Sequence, residues 1–131
     1  MRLLLDTCAF LWLIWSPEKL PAAAHRAVVE EADDVFLSSI TIWEAMQKHR
    51  LGRLEVYAPE GAWPHFVAQR EAHGLIGLPF DESAARHLPA LPNVHRDPFD
   101  RMLICQAIEH SLTIVTPDRA IQRYPIRTLW E

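Results

Sequence analysis

The rhythm of apolar residues constrains this chain most. Short apolar runs alternate with longer stretches of helical spacing, and no tight-hairpin dipeptide such as Asn-Gly separates any two runs. Residues 2–5 form the first run, closed by Asp6, as a buried strand would be. Residues 7–15 read as a helix stopped by Ser16-Pro17. Residues 21–32 predict a second helix, and 35–39 a strand that feeds a helix over 41–51, ended by Gly52. Residues 59–73 predict another helix with Gly74 after its last turn, then a strand over 75–79 and a short helix over 81–88 capped by Asp81. A proline-containing loop spans 89–96. Asp97-Pro98 is a helix start, with aspartate at the cap and proline at the first helical position. That helix runs to about His110, with Phe99, Leu103 and Ala107, then Ile104 and Ile108, as its apolar stripe. Strands over 112–116 and 126–130 follow, separated by a short helix over 119–123. Strands alternating with helices, without hairpins, predict an α/β fold: a parallel sheet covered by helices on both faces through right-handed crossovers.

A chain of 131 residues has the size of one domain, residues 1–131, and buries roughly two-thirds of its unfolded surface. Half its residues are hydrophobic and 23% are charged, which excludes a disordered chain. Cys8 and Cys105 form no spacing motif and sit in apolar surroundings, as reduced thiols do. The apolar N-terminus is interrupted by Asp6 and lacks a cleavage site, so it does not read as a signal peptide. It is also shorter than the roughly 20 apolar residues needed to cross a bilayer. The expectation is a soluble cytoplasmic protein with no membrane contact.

Ligands of open parallel sheets bind beyond the carboxyl ends of the strands. Asp6 follows the first strand, Asp118 lies two residues beyond Thr116, Glu44 sits early in the helix after the second strand, and Asp97 and Asp100 open the helix before the fourth. Carboxylates gathered in this way repel one another unless protonated or bound to cations. Hard cations such as Mg²⁺ or Mn²⁺ suit carboxylate and water oxygens, whereas Zn²⁺ would want histidine or cysteine at a spacing absent here. Such a site suits phosphodiester hydrolysis. The formal charge of −4 weighs against a nucleic-acid substrate, an objection that bound cations soften.

Each residue also has a plainer reading. Asp6, Asp97 and Asp118 can cap helices, Asp100 can favour a helix dipole, and Glu44 can be a solvated helix residue. Only their convergence carries weight. The hydroxyls of Thr7, Ser39, Thr41 and Thr116 are placed to orient ligands or water. Lys48, His49, Arg50 and Arg53 follow Glu44 and can meet a phosphate backbone or form a solvated helix end; Arg101 is a further candidate for RNA contact. The seven histidines are scattered and form no ligand pair. Phe10, Trp12, Trp15 and Trp43 read mostly as core, with an excess that suggests an apolar face for a partner.

The segments Leu4-Leu5-Asp6-Thr7, Ser39-Ile40-Thr41-Ile42-Trp43-Glu44, His95-Arg96-Asp97-Pro98-Phe99-Asp100 continuing to Ala107, and Leu112-Thr113-Ile114-Val115-Thr116-Pro117-Asp118 resemble the four motifs of the PIN-domain ribonucleases. The chain is most similar among these to the VapC toxins of type II toxin–antitoxin systems. The resemblance covers essentially the whole chain, and its third motif is the most specific. It implies a three-layer α/β/α sandwich with a five-stranded parallel sheet. It also implies Mg²⁺- or Mn²⁺-dependent endonucleolytic cleavage of RNA, with a tRNA or ribosomal RNA as substrate. The catalytic and metal-binding acids it implies are Asp6, Glu44, Asp100 and Asp118, with Asp97 ranked below them as a metal ligand. It further implies a homodimer silenced by a cognate VapB-like antitoxin. One position departs from the pattern: many relatives carry Asn or His where this chain has Cys8, so a polar group near Asp6 is missing.

Three other readings compete. A phosphate-accepting receiver-like module would need an acidic pair before its first helix, and this chain has one aspartate there. A phosphatase with an aspartate nucleophile would need a second aspartate where Cys8 stands. A catalytically weak interaction or regulatory module would keep the fold with a vestigial site.

Overall fold

The computed structural model describes residues 1–94 and 96–131; His95, the first residue of the third matched segment, lies outside the described residues. Strand β1 (Arg2–Leu5) runs into helix α1 (Thr7–Trp15), with the bounds that the sequence predicts. A single 3₁₀ turn over Pro17–Lys19 leads to α2 (Ala22–Arg26), whose backbone continues through a wider π turn over Ala27–Glu31. Strand β2 (Asp34–Ser38) and α3 (Ser39–Arg50) follow, then α4 (Ala62–Ala72), β3 (Ile76–Leu78) and the short α5 (Glu82–Ala85). The chain ends with α6 (Pro98–His110), β4 (Thr113–Val115), α7 (Arg119–Gln122) and β5 (Thr128–Leu129).

The strands form one five-stranded sheet in the order β3-β2-β1-β4-β5, and every pair is parallel. Because β1 is central, its side chains are buried on both faces, as its unbroken Leu3-Leu4-Leu5 run demands. Alternation splits them. Leu3 and Leu5 join Val35, Leu37 and Val115 under Phe10 of α1, Ala24 of α2 and Phe66 of α4. Leu4 joins Ile114 on the other face, under Leu103, Ile104 and Ala107 of α6 and Ile121 of α7. The result is the three-layer α/β/α sandwich.

Strand order reverses between β1 and β4, so the crevice that opens beyond their carboxyl ends is the switch point where open sheets bind ligands. Two expectations change. Ser39 is the first helical residue of α3 rather than the end of the strand, because Ser38 stops the strand and caps the helix, its hydroxyl accepting from Ile40 N at 3.0 Å. Trp43 is not core: it is 60% exposed, since Thr41 and Ala45 take the buried side of α3 and turn the residue between them outward. Trp15 is also exposed, at the edge of α1. No helix among the described residues is long and apolar enough to cross a membrane.

Candidate active site at the sheet switch point

The acid nearest the sheet is Asp6, 5% exposed at the carboxyl end of β1. Its backbone N–H still belongs to the sheet and donates to the Val115 carbonyl at 3.1 Å. One carboxylate oxygen caps α1, accepting from Ala9 N at 2.8 Å, and the other accepts from the Thr116 hydroxyl at 2.5 Å. The same Thr116 oxygen accepts from Asp118 N at 3.0 Å, so one hydroxyl ties together the acids that follow β1 and β4. Asp118 caps α7, accepting from Ala120 N at 2.7 Å and Ile121 N at 3.3 Å. Glu44 projects from the second turn of α3, where Thr7, the first residue of α1, donates its hydroxyl to Oε1. Asp97 caps α6 by accepting from Phe99 N at 2.9 Å and Asp100 N at 3.4 Å, with Pro98 next as predicted.

These acids meet. Asp6, Glu44, Asp97, Asp100 and Asp118 line a single cavity of about 350 Å³, together with Thr7, Cys8, Lys48 and Pro117. Burial pushes the Asp6 carboxyl up to about 6, against the lowering pull of the hydrogen bonds from Thr116 and Ala9, and the nearby charges of Asp118 and Glu44 push the same way as burial. The Cys8 thiol is raised to about 11, first by burial and then by Asp6, so it stays protonated at neutral pH and is no nucleophile.

Among the described lining residues, the acidic and thiol donors are five carboxylates and one protonated thiol, with no histidine, which is the chemistry of a hard cation. Among the described residues, no three such side chains close into a ready-made cage for one ion. Mg²⁺ does not need one, because it keeps several waters and binds through one or two carboxylates plus substrate phosphate. Burial and the neighbouring carboxylates that raise the Asp6 pKa are the conditions that a bound cation would relieve. The residues therefore fit a hydrated divalent ion at Asp6 and its neighbours.

Other candidates lie elsewhere. Ser39 accepts from Phe80 N at 3.1 Å and lines a separate, mostly apolar cavity of about 380 Å³ between α3, α4 and β3, so it is not grouped with the acids. Thr41 is fully buried inside α3. Arg50 and Arg53 are exposed and do not line the acidic cavity. Arg101 lines a third cavity, with Phe80, Leu88 and Met102. Ser38, whose cap sets where α3 starts, was missed; the tandem Ser38-Ser39 was its signal.

The chain is similar to known proteins over most of its length. Residues 3–126 match the PIN domain family. Over 122 residues, 92% of this chain and 90% of the relative, the sequence is 30% identical to Ribonuclease VapC22 of Mycobacterium tuberculosis. Among solved structures, VapBC2 of Rickettsia felis bound to a promoter DNA fragment aligns over 100% of both chains, with a TM-score of 0.72 at 15% identity. DNA-bound VapBC of Salmonella typhimurium aligns over 98% of this chain and 97% of that one, with a TM-score of 0.69 at 22% identity. VapBC-1 of nontypeable Haemophilus influenzae covers the same shares, with a TM-score of 0.71 at 17% identity.

Proposed function

The chain belongs to the PIN-domain family, and on that premise we propose that it is an endoribonuclease toxin that hydrolyses RNA with Mg²⁺ or Mn²⁺ and is silenced by a cognate VapB-like antitoxin. The observation that carries this reading is the convergence of five carboxylates, from four distant segments, in one cavity at the switch point. The similarity to a ribonuclease across nine-tenths of both chains supports RNA as the substrate. That several similar folds were solved as VapBC complexes supports an antitoxin partner. A homodimer acting in the cytoplasm on tRNA or ribosomal RNA completes the proposal.

The chain's own residues do the positioning. Thr116 and Ala9 N hold Asp6 by both oxygens, and Ala120 and Ile121 N hold Asp118, so neither carboxylate must reorganise when a ligand enters. Thr7 fixes Glu44 across from them. Asp97 serves first as the cap that aims α6, and with it Asp100, at the cavity. A bound divalent ion would lower the pKa of its water and offset charge on the phosphoryl oxygens.

The test is induced expression followed by mapping of new RNA 5′ ends, with Asp6→Asn as control. New ends with wild type and none with the folded variant support the reading. If the variant cleaves as fast as wild type in Mg²⁺, the site is not the acidic cavity. A second reading, an interaction module with a vestigial site, draws on the lack of a ready-made three-ligand cage among the described residues. Calorimetric titration with Mn²⁺ that released no heat would favour it.

A further inference from the structure

One ammonium shares the cavity with five carboxylates. Lys48 stands on α3 one turn beyond Glu44 and is the sole lysine or arginine among the lining residues. It is half-buried. Among the described ion pairs, none joins it to Asp6 or Glu44. An ammonium carries three donors, so one at the wall of this cavity can meet an acceptor that enters it.

A phosphodiester drawn to this cavity brings a negative charge to a wall of carboxylates. The other basic candidates do not offset it there: Arg50 and Arg53 are exposed outside the cavity, and Arg101 lines a different one. We propose that Lys48 is the phosphate-binding side chain of this site, its ammonium contacting a non-bridging oxygen of the scissile phosphodiester and offsetting the charge that builds there during cleavage. Its placement is built in. The Ser38 cap fixes the start of α3, and the Thr7–Glu44 hydrogen bond fixes the rotation of the helix about its axis. The proposal rests on the ribonuclease reading. Its rival is a purely internal role, in which Lys48 only eases repulsion among the acids.

Four proteins separate the two: wild type, Lys48→Gln, Lys48→Arg, and Arg26→Gln, which removes the same charge from an exposed site on α2. Single-turnover cleavage of total bacterial RNA at saturating Mn²⁺ should fall on the order of 10²-fold in Lys48→Gln. It should recover in large part in Lys48→Arg and stay at the wild-type rate in Arg26→Gln. Mn²⁺ affinity by calorimetry should hold or tighten in Lys48→Gln, because a positive charge has left the cavity. In an Asp6→Asn background without metal, binding of a fluorescent single-stranded RNA oligonucleotide should lose about 0.7 from its log–log salt slope when Lys48→Gln is added. Unchanged cleavage by Lys48→Gln overturns the proposal and leaves the ribonuclease reading standing. Reduced cleavage by Lys48→Gln with an unchanged salt slope of RNA binding overturns it in favour of the internal role. A wild-type protein that cleaves nothing overturns both.

Discussion

Asp6 ends β1, caps α1 and faces the cavity, and these duties make different demands on its proton. Folded, it holds that proton up to about pH 6; unfolded, it releases it near 3.8. The folded state therefore binds more protons between those values, and stability falls as pH rises from about 4 through 6. At 1.36 kcal/mol per unit, the loss is on the order of 3 kcal/mol in metal-free protein. Asp6→Asn keeps the shape and removes the ionisation. In EDTA, it should unfold at a higher temperature than wild type above pH 7, with the gap closing below pH 4; equal melting temperatures across that range would rule the account out. Added Mn²⁺ should raise the melting temperature of wild type at pH 8 and leave that of Asp6→Asn almost unchanged. The acids were legible in the sequence because Asp6, Asp97 and Asp118 each sit where a helix begins, and strand ends locate functional groups in a parallel sheet. Thr116 was legible as support, but its bridging of Asp6 to Asp118 was not, since that depends on the spacing of β1 and β4 in three dimensions. Ser38 was missed because either serine of a pair can cap. The ladder decides: Ser38 still pairs with Leu78 of β3, so the helix begins after it.

At the scale of elements, α6 carries the most local information. Its cap, its proline and its stripe were all predicted, and each has a counterpart in the structure. Asp97→Ala should cost about 1 kcal/mol by urea denaturation, through two lost cap hydrogen bonds. The other end of α6 is strained. Ser111 adopts a left-handed conformation at φ 55°, where a side chain crowds the following carbonyl. Ser111→Gly should stabilise the protein by roughly 0.5–1 kcal/mol in the same assay; a loss of stability would mean that the serine side chain makes a compensating contact. The strands at the two edges are shorter than expected. β3 has three residues and β5 two, where five were predicted for each, and the internal β4 is likewise three residues instead of five. The wider turn that prolongs α2 through Ala27–Glu31 had no sequence signal: its residues are ordinary helix formers or β-branched, and the extra residue per turn is a product of packing. Arg101, on α6, lines a cavity with Phe80 and Met102 and not the acidic one.

For the molecule as a whole, the alternation of short runs with helical stripes was enough to give a parallel sheet with two covered faces. What it left open was strand order, which rests on long-range pairing. The order places β1 between two cores, so Leu3 and Leu4 test opposite layers from adjacent positions. Leu3→Ala and Leu4→Ala should each cost about 2–5 kcal/mol in chemical denaturation, in a single cooperative transition. If one layer melted separately from the other, the two variants would instead show two distinct transitions. The place of β1 also has a consequence during synthesis. It leaves the ribosome long before one of its two neighbours, β4, which begins at Thr113, and the last acid of the cavity is Asp118. The centre of the sheet and the cavity beside it are thus completed only once β4 and Asp118 have emerged. A nascent chain stalled before that point carries the early acids without their frame. If the cavity cuts RNA, the ribosome that makes it is not exposed to a working blade until Asp118 has left the exit tunnel.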